Sequence, residues 1–121
     1  MTQKKAILLI DDDPVTNMIN EHYISSQDGA AQITAFLKPQ EALEKLRDGA
    51  MADVIFLDIN MPEMDGWQFL DEFQKLEKTA KVFILSSSID PNDIKRSKQY
   101  VSVVGFISKP LTSISLKRLM V

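Results

Sequence analysis

The stretch Val54-Ile55-Phe56-Leu57-Asp58-Ile59-Asn60-Met61-Pro62-Glu63-Met64-Asp65-Gly66 passes from four apolar residues to an acidic one, then into a loop containing proline and glycine. The apolar run reads as a parallel strand buried on both faces. In open α/β sheets, ligands bind just outside the carboxyl ends of the strands. Asp58 therefore falls where chemistry takes place and where packing alone would disfavour a charge. A second strand of this kind lies upstream, where Ala6-Ile7-Leu8-Leu9-Ile10 runs into Asp11-Asp12-Asp13. Two apolar strands that each end in carboxylates suggest a cation site with a nucleophile in it.

Outward from these two strands, the chain alternates strand and helix five times, with strands expected at residues 6–10, 32–36, 54–57, 82–85 and 104–107. Asp13-Pro14 and Asp90-Pro91 each place a capping carboxylate before a proline at the first helical position. Asp65 before Gly66 suits the start of the third helix, and Pro39 with Glu41 in the first turn suits the second. From Trp67 onward, Phe69, Leu70, Phe73 and Leu76 recur at helical spacing. Residues 111–121 have room for one short helix, capped by Thr112, with Leu116, Leu119 and Met120 as its apolar stripe and Lys117 and Arg118 near its end. Strands alternating with helices of this length imply parallel pairing through right-handed crossovers. The expected architecture is α/β: a flavodoxin-like, doubly wound, five-stranded parallel sheet in the order 2-1-3-4-5, with five helices.

Composition narrows the function. At 121 residues the chain is expected to be one domain, residues 1–121, and a domain of this size buries roughly two thirds of its extended surface. The 45% hydrophobic content supports a packed core, and the lack of cysteine excludes disulfides, thiolate metal sites and thiol nucleophiles. No run approaches the ~18 apolar residues of a membrane span. The first residues carry no signal-peptide core, so a cytoplasmic location is the expectation. A net charge of −3 argues against nucleic acid as a direct ligand.

In the 2-1-3-4-5 order, strands one, three, four and five are contiguous. Their ends deliver Asp11 and Asp12, Asp58, Ser86 and Lys109 to one rim. Carboxylates gathered so closely repel, and a hard divalent cation relieves that repulsion. Mg²⁺ takes oxygen ligands, keeps several waters and uses one or two carboxylates. Asp12 and Asp58 are expected to bind it directly and Asp11 through water, with a carbonyl such as that of Asn60 completing the set. The arrangement suits phosphoryl transfer to a carboxylate, giving an acyl phosphate. Positioned positive charge is what that transition state needs, and Lys109 is a long-reach charge for it. The Ser86 hydroxyl can bond a phosphate oxygen.

These residues resemble the motifs of the response-regulator receiver domains of two-component signalling, of the single-domain, chemotaxis-regulator-like kind. The likeness spans essentially the whole chain: the acidic cluster, Asp58 with Met61-Pro62 and Asp65-Gly66, Ser86, then Lys109-Pro110. The resemblance implies that Asp58 is the phosphoacceptor, that Asp11 and Asp12 hold Mg²⁺, and that Lys109 contacts the phosphate. It implies a switch made by Ser86 and Phe106, a Lys109-Pro110 peptide that is cis in many members, and control of phosphate lifetime by Asn60 and Ser88. The donor would be a histidine kinase or histidine phosphotransfer protein, and the protein would be a switch with autophosphorylation and autodephosphorylation only. Output would pass to a downstream protein effector or to self-association. It would do so through the face of the fourth helix, fifth strand and fifth helix, which carries Lys95, Arg96, Lys98 and Lys117.

A different class fits part of the pattern. Asp11-x-Asp13 after an apolar strand resembles the nucleophile motif of haloacid-dehalogenase-type phosphatases, with Asp11 phosphorylated and Asp13 as the acid. That reading leaves the Asp58 loop unexplained and meets Pro14 where a glycine turn is usual. A flavin module of the same topology would need a Ser/Thr-rich phosphate loop after the first strand, and none follows it. Asp13 reads better as a helix cap, His22 as a surface residue and the six methionines as packing. Trp67 has no partner that the pattern identifies.

Overall fold

The computed structural model describes residues 5–27, 29–87, 90–109 and 111–112. Its elements run β1 (Ala6–Ile10), α1 (Pro14–Gln27), β2 (Gln32–Phe36), α2 (Pro39–Arg47), β3 (Val54–Asp58), α3 (Gly66–Lys75), β4 (Lys81–Ser86), α4 (Pro91–Ser97) and β5 (Val103–Ser108). All strand pairs are parallel, in the order β2-β1-β3-β4-β5. The expected sheet is therefore present, with strand bounds within a residue or so of those read from the sequence. Four helices lie among the described residues, and the expected fifth, like Ser88, Pro110 and Lys117, falls outside them. None of the described helices is long and apolar enough to cross a membrane.

Alternation of side chains along each strand divides the core into two layers. Leu8, Ile10, Ile55, Leu57, Val82 and Ile84 face α2 and α3, which contribute Leu43, Leu46, Phe69, Leu70 and Phe73. Ile7, Leu9, Val54, Phe56, Phe83 and Leu85 face the other way and pack with Ile24 of α1 and with Leu111. Both faces are covered, which is why the strands read as continuous apolar runs rather than as alternating ones.

The caps follow the sequence. Asp13 accepts from the Val15 N–H and the Thr16 hydroxyl at 3.0 Å each. Asp90 accepts from the Asn92 N–H at 2.8 Å. Asp65 accepts from the Gln68 N–H at 2.9 Å while the Gln68 side chain accepts from the Asp65 N–H at 3.0 Å, a reciprocal capping box. This box fixes the entry of α3 and so the return of the loop that leaves Asp58.

Gly66 closes that loop against the strand end. A Cβ there would lie 2.7 Å from the Ile59 Cα and 3.1 Å from the Asp58 carbonyl oxygen, and neither backbone atom can move aside cheaply. Gly66→Ala is therefore expected to destabilise the domain by about 1–3 kcal/mol, the usual cost of overpacking. The midpoint of urea unfolding measures it, and an unchanged midpoint would show that the loop yields freely.

Candidate functional site

Strand register brings the candidate residues to one rim. Ile10 pairs with Leu57, Asp58 with Leu85, and Ser86 with Ser108. The first residues beyond β1 and β5, together with the last of β3 and β4, thus lie side by side. The Lys109 N–H donates to the Ser86 carbonyl at 2.9 Å, fastening the chain beyond β5 to the end of β4.

Asp11 and Asp58 are both buried, at 1% and 2% exposure, whereas Asp12 is exposed. The Lys109 Nζ reaches between the two buried groups, 2.7 Å from Asp11 Oδ2 and 3.1 Å from Asp58 Oδ2. Asp11 Oδ2 is buried and meets only this ammonium among the described side chains, which leaves it a lone pair for a cation. The Asp58 Oδ1 accepts from the Asn60 N–H at 3.0 Å, which holds the carboxylate in place. Asp11 Oδ1 likewise accepts from the Asp13 N–H at 2.9 Å.

Burial raises the pKa of the Asp58 carboxyl, and the nearby charge of Asp11 adds to the rise. The Asn60 N–H and Lys109 pull the other way without cancelling it. Burial would lower the Lys109 pKa, but the two carboxylates outweigh it and raise the pKa above the usual lysine value. Asp13 is lowered, chiefly by the Thr16 hydroxyl and then by the Val15 N–H, as a helix cap should be.

Asp11, Asp12 and Asp58 each offer an oxygen within 4.8 Å of the others, a set able to hold a metal ion. All the donors are hard oxygens, the cluster carries more negative charge than Lys109 neutralises, and one buried oxygen has spare lone pairs. These features fit Mg²⁺ better than a softer metal. Asp12 borders a groove of about 580 Å³ that Asn60, Asp65, Trp67 and Asp93 also line.

The remaining expected residues have definite places. Ser86 is buried at the end of β4, and Phe106 on β5 is half-buried against the α2/α3 core layer. His22 is exposed, as expected. The methionines are not all packing: Met18 and Met51 are 65% and 76% exposed. Trp67 proves to be buried and stacked on Tyr100, with ring centroids 5.9 Å apart, and the Arg96 guanidinium lies 4.7 Å above its ring. The Tyr100 hydroxyl donates to Asp71 at 2.7 Å. Arg96 therefore belongs in part to an α3–α4 cluster rather than wholly to a free basic face. Sequence reading also missed Asn17, which lies buried on α1 behind Asp11.

The response regulator receiver domain model matches residues 7–120, and the chain belongs to that family. It is 28% identical over 111 residues to a probable C4-dicarboxylate response regulator, DctR, of Halalkalibacterium halodurans, covering 92% of this chain and 47% of that protein. It is 33% identical over 104 residues to a protein-glutamate methylesterase/protein-glutamine glutaminase of Xanthomonas campestris, covering 86% of this chain and 29% of the relative. The chain thus spans less than half the length of these curated relatives. Among solved structures, a two-component response regulator from Cytophaga hutchinsonii superposes with a TM-score of 0.87 at 32% identity, covering 98% of this chain and 96% of that one. The chemotaxis protein CheY4 of Vibrio cholerae superposes with a TM-score of 0.83 at 25% identity, covering 98% and 97%.

Lys109→Met tests the electrostatics directly. It leaves two buried carboxylates facing each other, which should cost the metal-free protein about 3 kcal/mol at pH 7. Without Lys109 the folded pKa of Asp58, already raised by burial, rises further above its unfolded value. The deficit is therefore largest above that raised value and shrinks as falling pH protonates Asp58. Chemical denaturation from pH 7 downward reads this out, and a deficit that does not change with pH would contradict it.

Proposed function

We propose that residues 1–121 form one receiver unit in which Asp58 takes a phosphoryl group from the phosphohistidine of a histidine kinase or histidine phosphotransfer protein. The observation that carries this reading is the placement of Asp58. It is a buried nucleophile with a raised pKa, one oxygen held by the Asn60 N–H and the other beside Lys109. Among the described residues no hydroxyl is better placed to accept phosphate, and Ser86 lies on the next strand.

In the proposed reaction an Asp58 oxygen attacks phosphorus as the P–N bond to the donor imidazole breaks. The bond's electrons leave on the imidazole, which then takes up a proton. The phosphate spreads its charge over three equatorial oxygens, so fixed positive charge lowers the barrier. Lys109 supplies one such charge from its place between Asp58 and Asp11. Asp11, Asp12, Asp58 and the carbonyl of Asn60 would hold Mg²⁺, which supplies the second positive charge when bound. Asn60, exposed at the rim, and Ser88 would tune access of hydrolytic water. The protein would turn over only its own phosphate and is a switch rather than an enzyme.

Phosphate on Asp58 would compete for Lys109 and draw the Ser86 hydroxyl, moving the chain beyond β5 and giving Phe106 room to turn inward. The half-buried state of Phe106 supports that role. Output would leave through α4, β5 and the segment after it, toward an effector protein or a second copy. Lys95 on α4 and Lys98 just after it are exposed cations, whereas Arg96 lies over Trp67. On the input side, Val15, Met18 and Ile19 of α1 are exposed, and α1 begins directly after the acidic loop. An apolar face in that position supports a protein as the donor.

Incubation with acetyl phosphate and Mg²⁺, followed by intact mass and peptide mapping, tests the assignment. One phosphoryl group on Asp58 is expected, and none in Asp58→Asn. Label on Asp11 would instead revive a dehalogenase-type phosphatase, a reading the family match does not support. The Asp13 oxygens already cap α1, which leaves them poorly placed as an acid.

A further inference from the structure

α1 is built against the usual amphipathic pattern. Its buried positions include Asn17 and Asn20, at 3% and 1% exposure, while Val15, Met18 and Ile19 face solvent. A buried amide is costly unless its polar atoms are bonded. The Nδ2 of Asn17 donates to the Asp11 carbonyl at 3.0 Å and lies 3.4 Å from the Phe36 carbonyl, which also accepts the Asp11 N–H at 3.1 Å. Two carbonyls around one amide end require the nitrogen there, since the flipped oxygen would be repelled by both. The Oδ1 is left buried without a partner. The bonds that offset this cost all run to the backbone of Asp11 and to the end of β2.

We propose that Asn17 is a positioning residue for magnesium binding, which holds the β1–α1 loop so that Asp11 and Asp12 face Asp58. The inference rests on the reading of these carboxylates as the Mg²⁺ site. Asp11 is gripped on its side chain by Lys109 and the Asp13 N–H, and both of those contacts belong to the site or its loop. From outside the site the Asp11 main chain is held at both ends, its N–H by the Phe36 carbonyl of β2 and its carbonyl by the Asn17 amide. Asn17 is the side chain that adds α1 to this hold, bridging the Asp11 carbonyl and the Phe36 carbonyl. Without it, the two carboxylates on the loop lose their fixed distance from Asp58, and a cation that demands near-octahedral geometry is penalised most. Asn20 is equally buried one turn on but makes no hydrogen bond to Asp11 or Phe36, so it serves as the internal control.

The experiment is an Mg²⁺ titration of the metal-free full chain, with no phosphodonor, followed by amide NMR shifts. Asn17→Leu keeps the buried volume and removes the unpartnered oxygen, so it is preferred to Asn17→Ala. Its Mg²⁺ dissociation constant should rise on the order of 10–100-fold, as for other groups that orient a metal's ligands. Asn20→Leu should keep the wild-type value. At saturating Mg²⁺ the acetyl phosphate reaction of Asn17→Leu should return toward the wild-type rate, because the defect lies in binding. In the wild-type protein the Asn17 side-chain amide signals should shift with Mg²⁺ while those of Asn20 stay still, a readout that needs no variant. Wild-type Mg²⁺ affinity in Asn17→Leu alongside a lower melting temperature, equal weakening in Asn20→Leu, or Asn17 signals indifferent to Mg²⁺ would each overturn the proposal. A wild type that binds no Mg²⁺ at all would instead overturn the magnesium reading on which it rests.

Discussion

Asp11 and Asp58 are held almost without solvent at the ends of two adjacent strands, and charged carboxylates in such a place persist only if something positive meets them. Lys109 does so from the far side of the sheet, reaching both groups at once. Its own position is fixed because its N–H is bonded to the end of β4. The charge state of Asp58 is therefore wired to the chain that follows β5. Whatever changes that charge, whether a proton, a cation or a phosphoryl group, changes what Lys109 is attracted to. The rest of the fold serves this triangle. The parallel register aligns the strand ends, Gly66 and the capping box return the Asp58 loop tightly, and Asn17 backs the Asp11 loop from inside α1.

This arrangement gives α1 and α4 distinct characters. α1 turns polar side chains inward toward the acidic loop and leaves apolar ones outside, the reverse of what core packing alone would select. On α4, Arg96 folds back over Trp67, an attraction of about 1 kcal/mol or somewhat less when exposed. Tyr100 extends the same cluster to Asp71 on α3. The face next to β5 is thus tied to α3, whose first turn is fixed by the loop from Asp58. The rim that holds Asp58 and the surface of α4 are thus joined through packed side chains of the receiver domain.

Much of this was legible in the sequence, for physical reasons. Strands buried on both faces announce themselves as apolar runs, and carboxylates at their ends stand out because packing would not select them. The parallel order then brings Asp11, Asp12, Asp58, Ser86 and Lys109 together without further information. Asp13, Asp65 and Asp90 signalled helix starts through local chemistry that needs no tertiary context. What was hidden depended on contacts distant in sequence or on broken periodicity. Trp67 stacks on a residue more than thirty positions away, and Arg96 looked like surface charge because its aromatic partner lies on another helix. Asn17 was invisible because the inward face of α1 is polar, so helical periodicity pointed the wrong way. Met18 and Met51 were read as core and stand in solvent for the same reason: an apolar side chain carries no mark of which face it is on.

Asp58 is a buried carboxylate whose charge is disfavoured by burial and by Asp11, and positive charge relieves that cost. A carboxyl-carbon NMR titration of Asp58, run without and with saturating Mg²⁺, measures this directly. The account predicts a midpoint above that of an ordinary aspartate in the metal-free protein, moving down when Mg²⁺ is added. An Asp58 that titrates at the ordinary value and ignores Mg²⁺ would contradict it.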